Sequence, residues 1–273
     1  MTQAQTASAA DRSTAVDTLL DRPRICCLMS SSLDGRLHPS RWTLSPDGTT
    51  KDWSAAYEAL HQELAPDGWL VGRTTMAEMA KGEPHPPAHV GSPPRPLHLS
   101  RRTGPFAMAV DRLGKLHFSK PEVDGDPVVV LLGRDVPDAH LAELVADGVS
   151  YIVAQDEGMA LAPLMAMLKH ELKIETLLLE GGGRVNGAFL AAGLVDELYI
   201  ILAPALDGSP SPAIVEAGQA GLKGKVVLSL LACDPLDNGA IRLRYAVSAA
   251  NPYSVQRDRP PHPSAEVQSP LRD

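Results

Sequence analysis

Short apolar runs alternate along the chain with segments in which apolar residues recur every three or four positions. The apolar runs, bounded by turn residues, predict strands over residues 24–30, 69–71, 106–111, 127–132, 149–154, 176–179, 198–203, 226–231 and 240–247. The helical spacing predicts helices over residues 53–64, 74–80, 140–146, 161–170 and 185–192. This alternation predicts an α/β fold in which a mostly parallel sheet carries helices on both faces.

Three connections depart from the alternation. The last two strands are joined by a loop containing Asp237-Asn238-Gly239, which predicts an antiparallel hairpin at an edge of the sheet. A second hairpin is expected between the strands at 106–111 and 127–132. Residues 82–105 are crowded with proline, glycine and histidine and predict a long loop.

The two ends of the chain differ in composition from its middle. Residues 1–20 are poor in large apolar side chains, and residues 251–273 are polar and rich in proline. Such compositions predict a flexible N-terminal segment and a C-terminal tail. Residues 21–250 are therefore expected to form one domain.

Composition and charge narrow the classes of function. Apolar residues make up 44% of the chain and charged residues 21%, and the net charge is −8, so neither nucleic acid nor an anionic membrane is an expected partner. No apolar stretch of about 18 residues occurs, and residues 1–20 lack the basic and apolar regions of a secretion signal. Three cysteines form no disulfide framework. A cytoplasmic location is expected.

Two glycine-bearing turns directly follow predicted strands. Glu180 and the run Gly181-Gly182-Gly183 precede a helix, where backbone N–H groups suit a diphosphate and Arg184 adds charge. Alone, this run fits a phosphate site and an ordinary tight turn equally well. At the second turn, Gly72 precedes Arg73, Thr74 and Thr75, for which simple helix capping is the better interpretation. Two such turns in one chain favour a dinucleotide.

Other chemistries find less support. The loop histidines His85, His89 and His98 have no cysteine or acidic partner at a defined spacing, so no metal site is predicted. The G-x-S-x-G turn of many serine hydrolases is absent from the sequence.

Several segments, in order, resemble the pyrimidine reductases of riboflavin biosynthesis, which share the dihydrofolate reductase fold. The resemblance covers about residues 24–248. It is carried by SSLDGRL (31–37), DWSAAYEAL (52–60), GWLVGRTTM (68–76), AVDRLGKL (109–116), GVSYIVA (148–154), and above all by LLLEGGGRVNGAFLAAGLVDEL (177–198) followed by IILAPALDG (200–208). The resemblance implies an NADPH-dependent reductase of dihydrofolate reductase-like fold, a phosphorylated heterocyclic substrate, and a homodimer.

The resemblance also implies roles for individual residues. It places the NADPH diphosphate against Gly72, Arg73, Thr74, Thr75, Gly181, Gly182, Gly183 and Arg184. Arg112 is expected near the 2′-phosphate, and Ser30 and Asp34 near the nicotinamide. Ser32, Trp53 and Glu180 are expected to contact substrate. Asp34 and Glu180 are both candidates for relaying a proton, and the sequence does not decide between them.

The sequence also departs from the family pattern. Residues 77–96 lack the motif that holds the substrate phosphate, for which Arg95, Arg101 and Arg102 are candidate replacements.

On the resemblance, a reductase of 5-amino-6-(5-phosphoribosylamino)uracil is the leading hypothesis. The alternatives are a reductase of another heterocycle, such as dihydrofolate, and a nucleotide-binding protein without turnover.

Overall fold

A computed structural model of the protein describes residues 21–250. The two predicted terminal segments, 1–20 and 251–273, lie outside the described residues. The strands are β1 (Arg24–Ser31), β2 (Gly68–Gly72), β3 (Leu97–His98), β4 (Phe106–Asp111), β5 (Glu122–Val123), β6 (Asp126–Leu132), β7 (Ser150–Val153), β8 (Thr176–Leu179), β9 (Glu197–Leu202), β10 (Val226–Pro235) and β11 (Ile241–Ala249). The α-helices are α1 (Thr50–Leu64), α2 (Arg73–Ala80), α3 (Asp138–Ala146), α4 (Leu161–Leu172) and α5 (Gly183–Ala191), and a 3-10 helix spans Pro39–Arg41.

One sheet organises the molecule, in the order β10-β11-β9-β1-β8-β2-β4-β6-β7-β3, with β5 paired to β6. The strands from β9 to β7 in this order run parallel. The strands β11 and β10 extend one edge antiparallel, and β3 is antiparallel to β7 at the other edge. Because ligands of such sheets bind beyond the carboxyl ends of the parallel strands, the turns after β2, β8 and β4 are the expected site.

Helices cover both faces of the sheet. Helices α1, α2 and α3 pack on one face, and α4 and α5 pack on the other. The central strand β8 is buried on both faces, which explains why Leu177, Leu178 and Leu179 are all fully buried. Among residues 21–250, no helix is long and apolar enough to cross a membrane.

The predicted elements are confirmed, with shifts at their ends. The loop predicted over 82–105 contains the short strand β3, which two residues of mixed polarity do not signal. The predicted hairpin between β4 and β6 is the small β5–β6 pair. Helix α5 begins at Gly183, two residues before the predicted start, because helix N-termini tolerate glycine that the periodicity does not count.

Candidate active site

The two glycine turns meet at neighbouring strand ends. Strands β2 and β8 are paired in parallel, so their carboxyl ends lie side by side. The Gly72 N–H donates to the carbonyl of Gly181 at 2.7 Å, which joins the β2–α2 turn to the β8–α5 turn. We call this junction the glycine corner.

The three consecutive glycines have different surroundings. Gly181 has φ +97°, a conformation that favours glycine. A Cβ on Gly182 would meet nothing within 4 Å, so this position faces open space. A Cβ on Gly183 would lie 2.1 Å from the carbonyl oxygen of Ala213, so Gly183 is required for packing. The assignment of all three glycines to the cofactor stays a prediction, and the close approach of Ala213 is a separate reason for Gly183 to lack a side chain.

Hydrogen-bond donors remain uncommitted around the corner. Within the described part of the chain, the N–H groups of residues 181–184 have no acceptor. Helices α2 and α5 both begin after a glycine, and neither has a side-chain cap. The hydroxyl groups of Thr74 and Thr75 make no hydrogen bond to any of residues 21–250, so they do not cap α2. Free donors at two helix N-termini are typical of an anion site.

The candidate arginines lie at the protein surface. Arg73 is exposed at the start of α2. The Arg184 side chain is 93% exposed, with its Nε 3.6 Å from a carboxylate oxygen of Glu216. Arg112 follows β4 directly, and its Nη2 donates to the carbonyl of Glu157 at 3.2 Å.

A cavity of about 180 Å³ opens beyond the end of β1. Its walls include Ser30 from β1, Trp42 after the 3-10 helix, and Trp53 and Tyr57 from α1. The structure therefore brings together two of the predicted site residues, Ser30 and Trp53. The Trp53 Nε1 donates to the carbonyl of Asn238 at 3.0 Å, which fixes the ring against the terminal hairpin.

Glu180, the residue before the glycine run, forms a cluster with α1. Its Oε1 accepts from the Tyr57 hydroxyl at 2.7 Å and lies 2.9 Å from Nδ1 of His61. The hydrogen bond to Glu180 raises the pKa of His61, and burial raises the pKa of Tyr57 well above its usual range. Trp53, Tyr57 and His61 lie four residues apart, so they share one face of α1. Trp53 and Tyr57 line the cavity, and Tyr57 and His61 contact Glu180.

The His61 pair makes stability depend on pH. Because the pKa of His61 is raised on folding, the pair stabilises fully below the ordinary imidazole value of about 6.5 and loses its effect as pH rises through the folded-state value. We expect His61→Gln to lower the free energy of unfolding by at most about 1 kcal/mol at pH ~6 and by less at pH ~9. Urea unfolding of the wild type and of His61→Gln across this pH range measures the loss in free energy of unfolding. A loss that grows as the pH rises would contradict the expectation.

Asp34 and Ser32 hold their own loop. Oxygens of Asp34 accept from the Ser32 hydroxyl at 2.6 Å and from the N–H groups of Asp207 and Gly208 at 3.0 and 2.8 Å. These bonds, led by that of Ser32, keep the pKa of Asp34 well below its usual range. Ser32 is fully buried and does not line the cavity. Of the two carboxylates that the sequence left open, Glu180 bonds a residue of the cavity wall, Tyr57, whereas Asp34 bonds its own loop.

Arg95, a candidate for the substrate phosphate, is already committed. Its guanidinium bonds the carbonyls of Arg134 and Val136 and the carboxylate of Asp138. Arg95 therefore anchors the proline-rich loop to the start of α3. Arg101 and Arg102 are exposed.

The order of these elements is that of a known family. Residues 23–241 match the model of the RibD C-terminal domain. The chain belongs to the RibD C-terminal domain family. Its predicted fold class, a dihydrofolate reductase-like α/β fold, and the resemblance to riboflavin-biosynthesis reductases are confirmed.

Relatives of this RibD C-terminal domain include a curated enzyme and two solved structures. The chain is 25% identical over 220 residues to 2,5-diamino-6-ribosylamino-4(3H)-pyrimidinone 5′-phosphate reductase of Aquifex aeolicus, covering 77% of this chain and 90% of that protein. Acinetobacter baumannii RibD superposes with a TM-score of 0.58 at 23% identity, over 84% of this chain and 58% of that one. A pyrimidine reductase-like protein of Corynebacterium diphtheriae does so with a TM-score of 0.58 at 21% identity, over 84% of this chain and 94% of that one.

Tyr57 and His61 are the site residues that sequence reasoning missed. Tyr57 was counted only as an apolar residue of α1. The spacing of Trp53, Tyr57 and His61 was the available signal, because residues four apart lie on the same face of a helix.

Proposed function

We propose that this protein is an NADPH-dependent reductase of a ribosylamino-pyrimidine phosphate, as in riboflavin biosynthesis. The observation that carries the proposal is the glycine corner, with its free N–H groups, beside a cavity walled by Ser30, Trp53 and Tyr57. The Aquifex relative is named as a reductase of such a compound.

The residues of the glycine corner fit a dinucleotide diphosphate. The N–H groups of residues 181–184 and the hydroxyl groups of Thr74 and Thr75 would hold its oxygens, and Gly182 leaves the approach open. When bound, NADPH supplies the hydride. Arg73 and Arg184 would add positive charge from the surface.

Glu180 is proposed to orient the substrate and to govern a proton. Reducing a ribosylamine to a ribityl chain takes up one proton with each hydride. Nδ1 of His61 lies 2.9 Å from Oε1 of Glu180, and Tyr57 links the same carboxylate to the cavity wall. We propose Glu180 as the catalytic carboxylate and His61 as its proton source.

NADPH oxidation with a panel of substrates tests the function. The panel contains 5-amino-6-(5-phosphoribosylamino)uracil, which the sequence favoured, and the 2,5-diaminopyrimidinone named for the Aquifex relative. The two rings differ in carrying oxygen or an amino group at one carbon. Turnover of either supports the proposal. Turnover of dihydrofolate alone would favour the second hypothesis, and NADPH binding without any turnover would favour a binding protein.

Arg112 is proposed to select NADPH over NADH. Its position after β4 and its exposed guanidinium suit a 2′-phosphate, and one charged hydrogen bond is worth about tenfold in affinity. We expect Arg112→Ala to narrow the ratio of NADPH to NADH affinity about tenfold. Fluorescence titration with NADPH and with NADH measures the two affinities and their ratio. Arg134→Ala, at the neighbouring strand end, is the control, and a larger effect there would assign the role to Arg134.

A homodimer is proposed to form through β10. This edge strand exposes Val227, Leu228, Leu230 and Leu231, each by 45–58%. Unpaired apolar edges are rare in monomers. We expect the double substitution Leu228→Lys and Leu230→Lys to halve the mass measured by light scattering, while Ser119→Lys, at an exposed position between β4 and β5, retains the dimer. A monomeric wild-type protein would refute the homodimer.

The cytoplasmic location stays a prediction.

A further inference from the structure

A second cluster of ionisable side chains lies on α3, away from the glycine corner. His140 and Glu143 lie three residues apart on one face of this helix, and Asp147 is the C-cap residue at its end. Two loops meet that face. The segment between β4 and β5 contributes His117, and the proline-rich loop after α2 contributes His85.

The side chains of this cluster are in contact. The Nδ1 of His117 lies 2.6 Å from Oε1 of Glu143. His85 lies on the other side of the same carboxylate, with its Nδ1 3.4 Å from Oε1 and its Nε2 2.8 Å from Oδ1 of Asp147. Donor atoms of His117, His140 and Glu143 all lie within 4.8 Å of one another. The imidazoles of His117 and His140 meet edge to face, with ring centroids 5.4 Å apart.

Burial makes the cluster costly without a ligand. Glu143 is 2% exposed and His140 is 6% exposed. The Nε2 of His140 is buried and has no hydrogen-bond partner among residues 21–250. Burying an unpaired polar atom is unfavourable, and such atoms are rare in folded proteins. A cation that accepts lone pairs from imidazole and carboxylate would satisfy the group.

The loops are held in place by packing that does not depend on the cluster. A Cβ on Gly82 would lie 2.0 Å from the carbonyl oxygen of His117, so the proline-rich loop starts in contact with that residue. Lys81 and Phe118 form a β-bridge at the same place. A Cβ on Gly114 would lie 2.8 Å from Cδ2 of His140. The candidate ligands are therefore brought together by the fold.

We propose that His117, His140 and Glu143 bind a divalent transition-metal ion, with Zn²⁺ the preferred ion. Two imidazoles and one carboxylate are a ligand set that Zn²⁺ accepts in tetrahedral geometry with an open fourth position. The ion needs the lone pairs of these groups, so its binding displaces any proton that they hold. His85 supports the site from the proline-rich loop, because its backbone N–H donates to Oε1 of Glu143 at 3.2 Å. The loop histidines alone did not predict this site, because the acidic partner lies on a helix 58 residues further along the chain.

Metal titration of the full chain, prepared without a histidine tag, tests the proposal. The protein is stripped with a chelator and titrated with Zn²⁺ against a chromophoric competitor. Co²⁺ is then added to record the visible d–d absorption that reports coordination geometry. We expect one ion per chain, a tetrahedral Co²⁺ spectrum, and an affinity at least about 100-fold weaker in His140→Gln and Glu143→Gln. His85→Gln, which changes a half-exposed side chain, is expected to weaken binding about tenfold.

His89→Gln is the matched control, because His89 is an exposed histidine of the same loop. Its metal affinity is expected to equal that of the wild type. Circular dichroism checks that each variant is folded, and His85→Gln keeps the test valid if a buried variant unfolds. Absence of Zn²⁺ and Co²⁺ binding would overturn the proposal, as would equal affinity in wild type, His140→Gln and His85→Gln.

Discussion

Replacing Gly182 by aspartate is expected to weaken NADPH binding roughly 1000-fold while leaving the fold intact. A side chain at this position meets open space, and its φ of −66° lies in the range that every residue adopts. The new carboxylate would face the proposed diphosphate across the free N–H groups of α5. Two like charges at ~4 Å in a partly buried site repel by about 4 kcal/mol, and each 1.4 kcal/mol is about tenfold in affinity.

Two variants isolate the charge from other effects. Gly182→Ala adds a Cβ without charge and is expected to bind NADPH within a few-fold of the wild type. Gly91→Asp places the same carboxylate in open space on the proline-rich loop and is expected to have no effect. Calorimetric titration measures all three affinities. An unchanged affinity in Gly182→Asp would move the cofactor site away from the glycine corner.

Replacing Glu180 by glutamine is expected to lower kcat about 100-fold with NADPH affinity unchanged. The amide keeps the size of the side chain but cannot take up a proton from His61 or carry negative charge. General acid–base groups contribute 10²–10⁴-fold in typical enzymes, so about 100-fold is the lower end. Single-turnover kinetics with saturating NADPH separates this loss from cofactor binding.

The matched control is Glu58→Gln. Glu58 is a carboxylate on α1, the helix that carries Tyr57 and His61, and it also lines the cavity. Among residues 21–250, its side chain makes no hydrogen bond to His61 or Tyr57. We expect its kcat to stay within a few-fold of the wild type. Equal losses in both variants would mean that charge around the cavity matters and that Glu180 has no particular role.

The glycine corner was predictable because its signals are local. Each turn follows an apolar strand and precedes a periodic helix, and β8 is recognisable from Leu177 to Leu179 alone. Paired parallel strands then place the two turns together, as the sheet requires. What local signals did not reveal is how the three glycines divide their tasks, since the close approach of Ala213 to Gly183 comes from a segment 30 residues away.

The cluster around Glu180 was not predictable in the same way. Its hydrogen bond to Tyr57 joins residues 123 positions apart, and the bond to His61 spans 119. Strand and helix periodicity places each partner on an element but leaves the rotation of α1 over the sheet open. Asp34 shows the reverse case. Its motif was visible in the sequence, but its hydrogen bonds to Asp207 and Gly208, which hold two loops together, were not.

The loop of the terminal hairpin is also hydrogen-bonded to the start of α1. Asn238 accepts from the Trp53 indole through its carbonyl and donates from its amide to the carbonyl of Asp52 at 3.2 Å. The last two strands thus hold the helix that walls the cavity in place, although they lie at the edge of the sheet. A chain that ended before β10 would lose these two hydrogen bonds. A fusion partner is therefore better attached after residue 250 than in place of the hairpin.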